Sequence, residues 1–120
     1  MAKQPEGKLV KSLKKMIEAA GGRSFKINGS DDGFQEVGIP DILACVWGRF
    51  VGIEAKQRGA SLRPAQRVVL REIYNAGGVA AVVETVEQGL QLLSYLKHRR
   101  SSAKGICFDR GNIRAGFYLR

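Results

Sequence analysis

Apolar residues in the first part of the chain recur at spacings of three and four, with lysines between them. The apolar positions are Leu9, Val10, Leu13, Met16, Ile17 and Ala20. This periodicity is typical of an amphipathic helix. Pro5 suits the first turn of such a helix, and Gly21-Gly22 suits its end, because glycine tolerates the left-handed C-terminal position. The pattern predicts a helix over residues 5–20, a strand over 23–28 and a loop over 29–33.

The middle of the chain contains two apolar runs, residues 42–47 and 50–55, on either side of Gly48-Arg49. Short apolar runs that flank a glycine-containing turn are typical of a β-hairpin. We therefore predict two antiparallel strands joined by a tight turn at Gly48-Arg49.

Helix and strand patterns alternate after the hairpin. Ser61 is a good helix cap, and the apolar spacing that follows predicts a helix over residues 62–76. The continuous apolar run over 79–84 predicts a buried strand. The pattern Thr85-x-x-Gln88 is a capping box, which predicts a last helix ending near residue 97. The element order αβββαβα predicts an α/β fold.

The segment after the last predicted helix is basic and rich in glycine, with Asp109 as its single acid. We therefore separate a core over residues 1–97 from a basic C-terminal tail over 98–120. Apolar residues on either side of Arg110-Gly111-Asn112 favour a hairpin within the tail. A disordered tail, or a dimerisation element exchanged with another subunit, is the alternative.

Composition restricts the class of protein. The chain has 120 residues and 44% hydrophobic content, which suits one domain with a modest core. Its 20 Lys and Arg against 11 Asp and Glu give a net charge of +9, which favours a polyanionic partner. Cys45 and Cys107 lie in no CxxC or Cys/His cluster, so we interpret both as reduced. Charges interrupt the N-terminal apolar stretch, so we expect no membrane span and a cytoplasmic location.

Three charged residues flank the predicted hairpin. Asp41 lies where the first strand begins, and Glu54 and Lys56 lie where the second ends, so antiparallel pairing brings them together. Side chains alternate along a strand, so Glu54 and Lys56 share one face while Ala55 lies on the other. Charges among apolar neighbours are costly to bury unless they are paired or bind something. The arrangement therefore indicates a functional site.

The chemistry of this site favours phosphodiester hydrolysis. Two adjacent carboxylates suit a hard cation such as Mg²⁺ or Mn²⁺, so Asp41 and Glu54 are predicted ligands, joined by the backbone carbonyl of Ala55. Such an ion lowers the pKa of a bound water and neutralises charge on a phosphate. Lys56 is the predicted group that orients this water and stabilises the transition state.

The combination of Gly38-Ile39-Pro40-Asp41, then Glu54-Ala55-Lys56, then Gln66 early in the next helix resembles the VRR-NUC branch of the PD-(D/E)xK nucleases. The resemblance covers roughly residues 6–97. It implies a restriction-endonuclease-like αβββαβ core, with a mixed central sheet flanked by helices. It also implies Glu6 as a further acid near the metal and Gln66 as a polar catalytic residue beside Lys56. Similar stand-alone members are typically viral or bacterial, which implies a phage or prophage type acting in a bacterial or virus-infected bacterial cell.

The basic charge favours DNA as the substrate, because lysine and arginine gain affinity by releasing counterions from the duplex. The predicted phosphate contacts are Lys8, Lys11, Lys15, Arg58 and Arg63. No base-reading motif is evident, which favours structure-specific cleavage of branched DNA such as four-way junctions or flaps. Similarity to junction-cleaving relatives implies a homodimer. A non-catalytic DNA-binding module and a sequence-specific restriction-type endonuclease are the alternatives.

Overall fold

A computed structural model describes residues 6–27, 36–99 and 104–120. Within these ranges the elements are α1 (Glu6–Ala19), β1 (Arg23–Lys26), β2 (Ile42–Val46), β3 (Arg49–Ala55), α2 (Pro64–Asn75), β4 (Val79–Val83), α3 (Val86–Lys97), β5 (Ile106–Asp109) and β6 (Asn112–Arg114). None of the helices in these ranges is long and apolar enough to cross a membrane. The predicted loop over 29–33, and the predicted ends of elements at Pro5 and Asn28, lie outside the described residues.

The strands of the described ranges form one mixed sheet in the order β1-β2-β3-β4-β5-β6. Strand β2 pairs antiparallel with both β1 and β3. Strand β4 pairs in parallel with both β3 and β5, and β6 returns antiparallel to β5. Every residue of β4 is buried, as expected for a parallel strand with both faces covered. The predicted α/β fold, with a mixed central sheet flanked by helices, is confirmed.

The three helices cover the sheet from opposite sides. Apolar residues of α1 and α3, such as Leu13 and Leu96, pack with Ile42 and Ile53 on one face. Leu70 of α2 packs on the other face, where it is fully buried. Each fully buried Leu or Ile contributes about 1.5–3 kcal/mol through the hydrophobic effect. These two layers fix β3 and β4 at the centre of the molecule.

The hairpin turn lies one residue earlier than predicted. Its central residues are Trp47 and Gly48, with φ angles of 49° and 76°, and Val46 pairs with Arg49. A two-residue turn with positive φ at both positions matches the twist of paired strands. The prediction placed Arg49 in the turn, but this residue begins β3 and is buried, where its side chain donates to the carbonyl of Arg99.

Helix α2 begins at Pro64 with Arg63 as its N-cap, so the prediction that Ser61 caps the helix is wrong. Proline disfavours helical geometry in the residue before it and is well suited to the first helical position. Arg63 accordingly has extended φ and ψ angles of −73° and 152°. The predicted Thr85 cap of α3 is confirmed, because the Thr85 side chain accepts a hydrogen bond from the Gln88 N–H at 3.1 Å, while the Gln88 side chain accepts from the Glu84 N–H and not from that of Thr85.

The C-terminal strands belong to the central sheet. Strand β5 pairs in parallel with β4, and β6 pairs with β5 around a turn at Arg110-Gly111. The apolar pattern predicted this hairpin but did not predict its pairing with β4. Residues 106–114 thus extend the same sheet that contains β3, and the division at residue 98 stays a prediction.

The two serine and threonine cap predictions lead to contrasting expectations for stability. Thr85→Ala removes the acceptor for the Gln88 N–H, so we expect a loss of about 1 kcal/mol in the free energy of unfolding. Ser61→Ala removes no cap and should change it by less than about 0.5 kcal/mol. Urea denaturation of both variants measures the difference, and an equal loss in the two would contradict the assignment of α2's start.

Candidate active site

The register of the β2–β3 hairpin brings Asp41 and Glu54 together. Ile42 pairs with Ile53, so the same register continued by one residue places Asp41 opposite Glu54. Asp41 Oδ2 accepts a hydrogen bond of 2.8 Å from the Ala55 N–H, which fixes the carboxylate against the end of β3. The Asp41 carbonyl also accepts from Ile27, so its backbone is tied to β1 at 2.8 Å.

Glu54 is a buried carboxylate with an unused oxygen. It is only 2% exposed, and its Oε2 has no hydrogen-bond partner in the described part of the chain. Burial is the largest of the causes that raise the pKa of Glu54 to about 9, a hydrogen bond with Asp41 and the charge of Asp41 add to it, and the charge of Lys56 partly opposes them. An unpartnered carboxylate oxygen beside a second carboxylate fits a divalent cation.

The charged groups of Lys56 and Glu6 lie close enough to act on the pKa of Glu54. The Lys56 N–H donates to the Val83 carbonyl at 3.0 Å, so its backbone is held by β4. Glu6, at the start of α1, accepts a hydrogen bond of 3.2 Å from the Gln57 N–H. Residues 6–27, 36–99 and 104–120 contain no group of three or more His, Cys, Asp or Glu side chains that could hold a metal. A role for Glu6 as a third ligand stays a prediction.

Gln66 lies in the first turn of α2, where its side chain has a structural partner. Its Oε1 accepts a hydrogen bond of 2.9 Å from the Arg63 N–H and thereby caps the helix. The catalytic role that the resemblance implies for Gln66 stays a prediction.

Gly38 of the Gly-Ile-Pro-Asp motif has a role that the sequence analysis did not assign. Its φ angle is 91°, and a Cβ atom there would lie 2.4 Å from the Ala65 carbonyl oxygen. Only glycine accommodates both features without strain. The motif loop therefore packs against the first turn of α2, which brings Asp41 and Gln66 to the same region.

The predicted phosphate contacts are exposed side chains of α1 and of the segment between β3 and α2. Lys8, Lys11 and Lys15 lie on one face of α1, since positions three and four apart are neighbours on a helix. Arg58 follows Lys56 in the loop after β3, and Arg63 precedes α2. The contact between Glu6 and Gln57 joins the start of α1 to this loop. The start of α1 and the loop after β3 are thus in contact, and the role of these basic side chains in binding phosphate stays a prediction.

Comparison with solved structures finds a similar chain described as a VRR_NUC domain. The two chains are 27% identical, with a TM-score of 0.64 over 75% of this chain and 95% of that chain. No protein-family model matches the chain, and no curated protein matches it either. The fold and this likeness define a restriction-endonuclease-like α/β core of the nuclease type. They support the VRR-NUC family for this chain, as its motif predicts, while the phage type stays a prediction.

Replacement of the buried carboxyl group at position 54 is expected to stabilise the cation-free protein. A carboxyl group whose pKa is raised by folding favours the folded state below its unfolded pKa and loses that contribution as pH rises towards the folded value. Glu54→Gln should therefore increase the free energy of unfolding by about 1–3 kcal/mol at pH 8 in EDTA, and by less at pH 5.

Urea denaturation at both pH values measures this difference, and Glu72→Gln, which removes an exposed carboxylate of α2, is the matched control. Addition of Mn²⁺ should raise the melting temperature of the wild type but not of Glu54→Gln, because a ligand stabilises only the state that binds it. A Glu54→Gln variant less stable than the wild type at pH 8 would contradict this account.

Gly38→Ala is expected to destabilise the protein by about 2–4 kcal/mol, because it combines a strained backbone with a close contact to Ala65. Gly7→Ala is the control, since a Cβ atom at this exposed α1 position meets nothing within 4 Å and alanine favours the helix. Thermal unfolding of the two variants gives the comparison. Equal melting temperatures would show that the loop does not need glycine at position 38.

Proposed function

We propose that this protein is a Mg²⁺- or Mn²⁺-dependent endonuclease that hydrolyses phosphodiester bonds in branched DNA. The observation that carries the proposal is the carboxylate pair of Asp41 and Glu54, with one buried oxygen unpartnered, beside Lys56. The likeness to a VRR_NUC domain supports a nuclease-fold protein that processes DNA. Neither the ion nor the DNA structure is identified by that likeness, and both belong to the proposal.

Asp41, Glu54 and the carbonyl of Ala55 are the groups proposed to hold the ion, with Glu6 nearby. When bound, a divalent cation supplies charge neutralisation for the phosphate and acidifies the attacking water. The Ala55 N–H holds Asp41 through a 2.8 Å bond, so this carboxylate is oriented before any ligand arrives. An oriented ligand loses little conformational entropy on binding.

Lys56 is the proposed catalytic cation. It lies two residues after Glu54, its backbone donates to the Val83 carbonyl, and its charge acts on the pKa of Glu54, which supports an ammonium on the side of the carboxylates. There it would orient the attacking water and stabilise the negative charge that develops on the phosphate. Gln66 is the proposed polar group beside it.

The proposed DNA surface consists of the exposed basic residues around this site. These are Lys8, Lys11, Lys15, Arg58 and Arg63. The net charge of +9 supports a polyanionic substrate. Cleavage of both strands at a four-way junction requires two sites, so we propose a homodimer acting in the cytoplasm of a bacterial or virus-infected cell.

The cleavage test uses labelled four-way, flapped, single-stranded and duplex DNA with Mg²⁺ or Mn²⁺. We expect branched DNA to be cut preferentially, and Asp41→Asn, Glu54→Gln and Lys56→Met to reduce the rate by at least about 100-fold. Glu72→Gln and Lys97→Met, on exposed helix positions, are charge-matched controls. Size-exclusion chromatography with light scattering should give the mass of two chains.

Three outcomes would replace the proposal. A wild type that cuts none of these substrates with either metal is not a nuclease of this kind. DNA binding without heat of Mn²⁺ binding in calorimetry would identify a non-catalytic DNA-binding module. Cleavage mapped to one short base sequence in many duplexes would identify a restriction-type enzyme.

A further inference from the structure

The loop that follows Lys56 is held by groups outside its own sequence. Its backbone turns at residues 57–60, where the Ala60 N–H donates to the Gln57 carbonyl at 3.0 Å. The Gly59 N–H donates to Glu84 Oε2 at 2.9 Å, and the Ala60 carbonyl accepts from the Arg110 guanidinium at 2.8 Å. Two charged side chains, one from the end of β4 and one from the C-terminal hairpin, therefore fix this loop.

Glu84 and Arg110 also bind each other. Arg110 Nε and Glu84 Oε2 are 3.0 Å apart, and their side chains are only 3% and 7% exposed. Arg110 also pairs with Asp109, and its N–H donates to the Val82 carbonyl at 2.9 Å. A buried ion pair is costly unless its remaining donors and acceptors are satisfied. In this case the guanidinium meets two carboxylates and the loop carbonyl at once, which the planar fork of arginine allows.

Asp109 is the buried centre of the arginine cluster. It is 0% exposed and bonds to Arg110, to Arg114 at 3.1 Å and to the Arg120 N–H at 3.1 Å. Burial acts to raise the pKa of Asp109, but these hydrogen bonds and charges outweigh it and hold the pKa below its usual range. Asp109 therefore holds one side of the Arg110 guanidinium, while another of its N–H groups donates to the loop.

We propose that Arg110, together with Glu84, is a positioning residue for the candidate active site, an inference that rests on the proposed function. The loop begins directly after Lys56, contains Arg58 and leads to Arg63 at the start of α2. By fixing Gly59 and Ala60, the Arg110–Glu84 pair holds Lys56 and Arg58 in place against the substrate phosphate. The C-terminal hairpin thus supports the proposed cleavage reaction through its contacts with this loop.

The alternative is an ion cluster that only stabilises the fold. A substitution at Arg114 distinguishes this purely structural role from a positioning role. Arg114 pairs with the same carboxylate, Asp109, and its guanidinium lies over the Tyr118 ring at 5.0 Å. Among the described hydrogen bonds it makes none to residues 57–60 or to Glu84. Arg110→Lys and Arg114→Lys therefore disturb the same cluster, but only the first removes contacts to the loop.

The test compares Arg110→Lys, Glu84→Ala and Glu84→Gln with Arg114→Lys. Cleavage kinetics are measured with excess Mn²⁺ on the branched DNA that the wild type cuts best, well below each melting temperature. A single ammonium cannot reach Glu84, Asp109 and Ala60 together, so Arg110→Lys should lower kcat by about 10–100-fold with KM changed less than about twofold. Arg114→Lys should leave kcat within about twofold of the wild type. Glu84→Gln keeps an acceptor for Gly59 and should retain more activity than Glu84→Ala.

Amide hydrogen exchange gives a readout that does not depend on cleavage. The Gly59 amide should exchange at least about tenfold faster in Glu84→Ala and Arg110→Lys than in Arg114→Lys. The Glu84 variants leave the ion pairs of Asp109 in place. If Arg110→Lys does not fold, the kcat and exchange rates of the Glu84 variants therefore test the positioning role. Equal losses of kcat in Arg110→Lys and Arg114→Lys, or unchanged kcat in Glu84→Ala, would overturn the positioning role while the proposed function stands. A wild type without cleavage activity would overturn both.

Discussion

Asp41 faces Glu54 because β2 and β3 pair in one particular register. The turn at Trp47-Gly48 fixes that register, because a two-residue turn requires the residues on either side of it, Val46 and Arg49, to pair with each other. With the turn at Gly48-Arg49 the register would shift by two residues, so Asp41 would lie opposite Lys56. The same side chains would still share one face, but the two carboxylates would no longer be neighbours. A feature at one end of the hairpin thus determines the chemistry available at the other end.

Without a bound ligand, the buried carboxylate pair lowers the stability of the folded protein. Glu54 occupies a strand position where its neighbours are buried, and folding withdraws it from water without giving Oε2 a partner. The two hydrophobic layers on either side of the sheet offset this cost, because a well-packed core contributes far more than one buried carboxyl group costs. The arrangement is consistent with a group kept for binding rather than for stability.

Much of the fold could be predicted because its patterns are local. Helical spacing located all three helices, and side-chain alternation placed Glu54 and Lys56 on one face. The errors arose where one residue overrides a pattern: Pro64 forces Arg63 to be extended and moves the start of α2. The parallel pairing of β5 with β4 joins segments far apart in sequence, which no local pattern specifies. The cap contact of Gln66 was also not predicted. The resemblance assigned this residue a catalytic role but gave no information about the rotamer of its side chain.

The bond between Arg110 and the Ala60 carbonyl joins residues 50 positions apart in sequence. Contacts of this separation close late, because the intervening chain must first be ordered. During synthesis, β2 and β3 emerge together and can pair early, whereas the contact of Arg110 with the loop after β3 must wait for the C-terminal hairpin. Assembly of the carboxylate pair and fixation of the neighbouring loop are therefore separate events in time. A chain that has not yet completed its last strands can hold both carboxylates in register while the Ala60 carbonyl still lacks its Arg110 donor.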